Sequence, residues 1–116
     1  MKLIIAGSRH IVDMKHLEEA VKMHAIKDKD VTEIVSGGAY GADYLGEVYA
    51  HRHNIPIRRF PAEWRRYGKK AGPIRNREMA IYADALLAIW DGESRGTKNM
   101  IQTMINMQKP YYICRI

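Results

Sequence analysis

Three short stretches of this chain carry residue types that suit the binding of an anion. The longest is Ser36-Gly37-Gly38-Ala39-Tyr40-Gly41-Ala42-Asp43, which follows the apolar run Val31-Thr32-Glu33-Ile34-Val35 and precedes a helical pattern carrying Leu45 and Val48. A strand that ends in glycines and hands over to a helix gathers free backbone N–H groups and the positive end of a helix dipole, which suits phosphate. Glycine also lets a ligand approach backbone that a side chain would shield. The other stretches are Gly7-Ser8-Arg9-His10 and Trp90-Asp91-Gly92-Glu93-Ser94-Arg95-Gly96-Thr97, each again following an apolar run. The first of these is not the dinucleotide fingerprint Gly-x-Gly-x-x-Gly, and no Walker A sequence occurs, so neither NAD nor P-loop hydrolysis is expected.

Other residues have both a binding reading and a structural one. Arg75 and Arg9 can fork onto a phosphate or pair with a helix-surface acid. Asp43 can hold a ribose hydroxyl, or simply favour a helix's first turn through the dipole. Trp64 and Tyr67 lie among arginines, where they either stack a base or anchor their loop, and Trp90 has the same two readings. Met100, Met104 and Met107 recur at helical spacing and read as core or interface packing. His51 and His53, two apart on a helix, point away from each other, and no other His or Cys cluster exists, so no metal site is expected.

The elements that must position these residues alternate. Residues 2–6 read as a first strand, and a helix follows from Asp13 with Met14, Leu17, Val21 and Ala25 on one face. A second strand covers 31–35, a second helix runs from Gly41 to Arg52, and Ile57 to Phe60 form a third strand. Residues 61–72 read as irregular and basic. A helix starts near Pro73 and runs through Ile74, Met79 and Ala83. Asp84 to Ile89 form a fourth strand. Ser94 or Thr97 then caps a last helix, with Met100, Ile101, Met104 and Ile105 facing inward, before a fifth strand at Tyr111 to Cys114. This alternation implies right-handed crossovers: an α/β, Rossmann-like three-layer α/β/α sandwich on a mostly parallel five-stranded sheet of order 3-2-1-4-5. In such a sheet the three glycine-containing loops share the carboxyl edge, where ligands bind.

At 116 residues the chain is expected to form one domain over 1–116. Nothing approaches the roughly 18 apolar residues of a membrane span, and the short apolar N-terminus reads as a buried strand, not a signal peptide. The single cysteine, Cys114, has no disulfide partner, which fits a reducing cytoplasm. The net charge of +6 is concentrated in Arg58, Arg59, Arg65, Arg66, Lys69, Lys70, Arg75 and Arg77, with Glu63 the only acid among them. Such a field favours an anionic partner, a nucleotide or a nucleic-acid backbone, although a solvated surface has the same composition.

Four ordered motifs extend this reading: Ala6-Gly7-Ser8-Arg9, Ser36 to Asp43, Ala71-Gly72-Pro73-Ile74-Arg75-Asn76-Arg77-Glu78-Met79, and Trp90 to Thr97. Together they resemble the SLOG superfamily, most closely its YspA/YpsA-related group, with the LOG phosphoribohydrolases and the DNA-processing protein DprA as further branches. The resemblance implies a Rossmann-like domain that binds nucleotides or nucleotide-derived ligands, and LOG relatives assemble into oligomers. LOG enzymes carry Arg-Lys-x-x-Met and Pro-Gly-Gly-x-Gly-Thr-x-x-Glu. Arg75, Met79, Gly96 and Thr97 match, but the glutamate position falls on Met100. Cleavage of an N-glycosidic bond calls for a carboxylate, which methionine does not supply.

The leading expectation is therefore a binding module for a nucleotide or ADP-ribose-like derivative, with no required cofactor and no metal. Its ligand-binding residues are expected to be Gly7, Ser8, Arg9, Ser36, Gly37, Gly38, Ala39, Gly41, Asp43, Arg75, Asn76, Trp90, Asp91, Gly92, Ser94, Gly96 and Thr97. Phosphates are expected at the helix starts after Gly38 and Gly96. One alternative is a nucleotide N-glycosidase using Asp91, Glu93 or Arg75, with Asp43 a further candidate acid. Another is a DprA-like nucleic-acid binder using residues 58–77. A homo-oligomer through the Met-rich last helix is a further partner expectation, and no membrane is expected.

Overall fold

A computed structural model describes residues 1–116. Five strands, β1 (Lys2–Gly7), β2 (Glu33–Ser36), β3 (Ile57–Arg59), β4 (Ala85–Trp90) and β5 (Tyr111–Arg115), form one sheet of order β3-β2-β1-β4-β5. Every neighbouring pair is parallel. This is the order expected from the alternating pattern, because parallel strands require crossovers and the crossovers here are helices.

The helices are α1 (Met14–Met23), α2 (Ala42–Arg52), α3 (Trp64–Tyr67), α4 (Ala71–Tyr82) and α5 (Arg95–Asn106). Strand alternation sorts the core into two layers. Leu3, Ile5, Leu87 and Ile89 pack toward α1 and α2, against Leu17, Ala20, Leu45 and Tyr49. Ile4, Ala6, Leu86 and Ala88 pack toward α4 and α5, against Met79, Ala80, Met100 and Met104. Because β1 and β4 are covered on both faces, their sequences are apolar without interruption.

Several expectations need correction. Residues 61–72 are not irregular: α3 fills 64–67, a 3₁₀ turn spans Gly68–Lys70, and α4 begins at Ala71, ahead of Pro73. Pro73 is thus the third residue of α4, still within the first turn, where its missing N–H deprives no intrahelical acceptor. Ala25 lies beyond the end of α1, in a left-handed conformation at φ 52°. Ile105 faces outward at 41% exposure, whereas Met100 and Met104 are buried in this chain's own core. Of the two candidate caps, Ser94 serves, its side chain accepting from the Thr97 N–H. Asp13 caps α1 as expected, accepting from the Lys15 N–H at 3.0 Å.

No helix is long and apolar enough to cross a membrane. No group of three or more His, Cys, Asp or Glu side chains converges in a metal-binding arrangement. His53 instead lies 3.2 Å from Asp28 and against the Tyr49 ring. Cys114 is buried, and burial pushes its thiol pKa up.

Candidate functional site

The chain leaves the sheet in opposite directions on either side of the β1–β4 pair, and a cleft of about 540 Å³ opens where it does so. Its walls are the loops after β1 and β4, the first turn of α5, the start of α4, and Trp64. Of the residues expected to bind, Gly7, Ser8, Arg9, Ala39, Asp43, Arg75, Asn76, Asp91, Ser94, Gly96 and Thr97 line it. Gly37 and Gly38 line an adjoining hollow. Ser36, Gly41, Trp90 and Gly92 line neither, and nor does the candidate acid Glu93.

The glycines divide by what a side chain would meet. A Cβ on Gly37 would fall 2.8 Å from both Arg75 Cζ and Asp43 Oδ2, so this residue is bare because two charged side chains close over it. Gly41, at φ 78°, has no room beside the Ser8 backbone oxygen, only 2.5 Å from its Cβ position, so it is needed where the first and second loops touch. Gly92, at φ 84°, is covered by the Arg115 guanidinium. Gly38 and Gly96, by contrast, face open space. The structural reading therefore accounts for Gly37, Gly41 and Gly92, while Gly96 offers bare helical backbone to the cleft.

Arg75 and Asn76 form one hydrogen-bonded unit on α4. Arg75 Nη1 donates to the Gly37 carbonyl at 2.7 Å, and its Nε donates to Asn76 Oδ1 at 3.1 Å. Asn76 Nδ2 in turn donates to Gly96 O at 3.2 Å and Asn99 Oδ1 at 3.0 Å. The amide of Asn76 is thus satisfied within the protein, fixing α4 to the start of α5, while Arg75 also lines the cleft. Burial lowers the Arg75 pKa against the opposing effect of Asp43.

Asp43, in the first turn of α2, is only 6% exposed. Its Oδ2 accepts from the Ala39 N–H at 3.3 Å, and Ser36 Oγ accepts from the Gly38 N–H at 3.0 Å. The Gly38 and Ala39 N–H groups of the loop after β2 therefore have partners inside the protein, and the chain supplies its own carboxylate at the positive end of α2. Burial pushes the Asp43 pKa up to about 6, although the Ala39 N–H and Arg75 oppose the shift.

The start of α5 is arranged differently. Thr97 and Lys98 donate to the side chain and carbonyl of Ser94, respectively. The N–H groups of Arg95 and Gly96, the first two helical residues, have no acceptor within the helix. α5 begins at Arg95, one residue before Gly96 and not after it. Asp91 shapes the turn: its Oδ1 accepts from the Glu93 N–H at 2.8 Å and the Ser94 N–H at 2.9 Å. These bonds hold its pKa below the usual carboxylate range. Ser8 Oγ accepts from the Asp91 N–H at 3.1 Å, joining the first and third loops. Trp90 is an anchor, donating from Nε1 to Ser94 O at 3.1 Å and packing against the core.

The cleft is basic on balance: Arg9, Lys69, Arg75 and Arg95 face Asp43 and Asp91. Much of the basic run points elsewhere. Arg58 lies over the Phe60 and Tyr82 rings, Arg59 is paired with Glu47, and Arg66 with Glu63. Lys69, Arg95, Asn99 and His10 also line the cleft, and none of the four is among the expected ligand-binding residues. Arg95 and Asn99 were legible in principle, lying four apart on one face of α5 with Gly96 beside them. Lys69 reaches the cleft through the unanticipated helical course of 64–82.

Residues 1–67 match the family described as the YspA, cpYpsA-related SLOG family. Gene 61 protein of Mycobacterium phage D29 is 32% identical over 107 residues, covering 87% of this chain and 86% of its own. Among solved structures, DNA processing protein A from Streptococcus pneumoniae superposes with a TM-score of 0.74 at 17% identity, covering 97% of this chain. DNA processing protein A from Helicobacter pylori, described for its single-stranded DNA binding mode, gives 0.66 at 18% identity and again 97% of this chain. This chain spans 49% and 64% of those two structures, and at such identities the likeness is one of fold.

Proposed function

Because the chain belongs to the YspA, cpYpsA-related SLOG family, we propose that it binds a nucleotide or nucleotide-derived ligand in the cleft at the carboxyl edge of its sheet. The observation that carries this reading is the first turn of α5. Its Arg95 and Gly96 N–H groups lack helical acceptors, Gly96 has no side chain to shield them, and Arg9, Lys69, Arg75 and Arg95 surround the same cleft. The phosphate sits at this turn and the Arg75 fork neutralises it. A volume of about 540 Å³ is in the range of small-molecule sites, and Trp64, 53% exposed on the wall, gives a base a surface to stack on.

Binding without turnover is the form this function takes. Met100, at the position of the LOG glutamate, is 1% exposed and carries no charge. Asp91 Oδ1 is committed to the Glu93 and Ser94 N–H groups, which ties this carboxylate to the turn before α5. Isothermal titration with AMP and ADP-ribose tests the proposal, with chromatography of the same mixtures to detect released base. Saturable one-to-one binding with intact ligand supports it. No heat with either ligand, together with protein free of small molecules by native mass spectrometry, overturns it.

A nucleic-acid reading has its own support in the exposed basic residues Arg65, Arg66, Lys69 and Lys70 beside the half-exposed Trp64. The fold shared with a protein described for single-stranded DNA binding points the same way. Affinity for a single strand that falls steeply with salt would favour this reading over a small ligand.

A further inference from the structure

A second hollow adjoins the nucleotide cleft at this edge of the sheet. The second, about 620 Å³, lies beside the ends of β2 and β3 and shares Arg9, Ala39, Trp64 and Arg75 with the first. The two are halves of one trough, with Arg75 and Trp64 on the divide. Each has the size of a complete small-ligand site, so a mononucleotide seated at α5 fills only one half.

The second hollow has a different chemistry. Its own cation, Arg59, is held by Glu47 through two hydrogen bonds of 2.6 and 3.0 Å, and Glu47 also accepts from Ser36 Oγ at 2.7 Å. Burial pushes the Glu47 pKa up, but Arg59 and Ser36 together outweigh it and keep the carboxylate ionised. The Gly38 and Ala39 N–H groups are taken by Ser36 and Asp43. The cation that belongs to this hollow alone is thus closed into an ion pair, and the other cations lining it, Arg9 and Arg75, are shared with the first. What the second hollow presents is aromatic: Tyr40 is 86% exposed and Tyr44 61%, four residues apart at the entry to α2, beside a floor of Gly37 and Gly38.

Building on the nucleotide reading above, we propose that the ligand is a dinucleotide, two bases joined through phosphate, with the second base stacked on Tyr40 and Tyr44. The linking phosphate crosses the divide at Arg75, whose fork serves both halves. A flat group is what an aromatic-lined hollow accepts, because every base has a π-face.

The test compares AMP with the 5′-phosphorylated dinucleotide pApA by titration calorimetry, on the intact chain and on two double variants. Wild type is expected to bind pApA at least about tenfold more tightly than AMP. Tyr40→Ala/Tyr44→Ala removes most of that advantage and leaves AMP affinity unchanged, and Tyr40→Phe/Tyr44→Phe keeps it. A hexanucleotide separates the two sources of such a ligand: equal affinity points to a free dinucleotide, and further tightening points to the 5′ end of a strand. The proposal is overturned if pApA binds no better than AMP, or if the alanine variant weakens AMP as much as pApA. If neither ligand binds, the nucleotide reading itself fails.

Discussion

Arg75 on α4 donates to the carbonyl oxygen of Gly37 at 2.7 Å, so a helix from one face of the sheet latches the loop that ends β2. The latch requires Gly37 to lack a side chain and holds the guanidinium at the junction of the two hollows. Asn76 extends it to α5. One continuous hydrogen-bonded path thus connects the second loop to the proposed phosphate site.

Replacing Arg75 with lysine keeps the charge and loses the fork. A single ammonium does not reproduce the bonds to Gly37 O and Asn76 Oδ1 and still meet a phosphate. Arg75→Lys is expected to lower nucleotide affinity about tenfold or more and to reduce stability by about 1 kcal/mol. Calorimetry and urea unfolding measure the two effects separately. Unchanged affinity would remove Arg75 from the ligand.

Asp43 makes stability depend on pH in an uncommon direction. Its folded pKa of about 6 lies above the ordinary carboxylate value, so the folded state holds a proton that the unfolded state releases. Stability from this group is present at pH below about 4 and declines as pH rises toward and through 6. The shift corresponds to a loss on the order of 2–3 kcal/mol by pH 7. Asp43→Asn, which keeps an acceptor for the Ala39 N–H, is expected to gain on wild type as pH rises from 4.5 to 7.5. Denaturant melts across that range read the difference, and parallel curves would show that Asp43 is not buried as described.

What the sequence revealed follows from which interactions are local. Uninterrupted apolar runs such as Leu86 to Ile89 announce strands buried on both faces, and their alternation with helical patterns sets the strand order. The caps Asp13 and Ser94 were legible because a capping side chain reaches N–H groups only two or three residues away. The course of 61–72 was not, because Gly68 and Gly72 read as breakers, yet Ala71 and its neighbours are held helical by tertiary packing. The division of labour among the glycines was equally hidden. Only the fold brings Arg75 to Gly37, 38 residues away, or sets the backbone of Ser8 against Gly41. Nor does spacing reveal that the Asp43 carboxylate turns back to accept from the Ala39 N–H of the loop after β2.

Asp91 separates a structural from a catalytic role. Asp91→Ala leaves the Glu93 and Ser94 N–H groups without their acceptor and is expected to cost about 1–2 kcal/mol of stability. It also weakens ligand binding, by loosening the turn that opens α5. Asp91→Asn retains an oxygen for both N–H groups and is expected to recover most of the stability. Thermal melts distinguish the two variants, and equal loss in both would mean that charge, not turn geometry, is what Asp91 supplies.

The most direct test of the central claim is nucleotide affinity in Gly96→Ala. Gly96 lies in the first turn of α5, and its Cβ position is open. The substitution is therefore expected to leave stability unchanged or raise it by up to about 1 kcal/mol through helix propensity. A phosphate seated on the α5 backbone would meet the added methyl, so AMP affinity is expected to fall about tenfold while the melting temperature holds or rises. Unaltered AMP affinity in a fully folded Gly96→Ala protein would contradict the account and place the phosphate elsewhere.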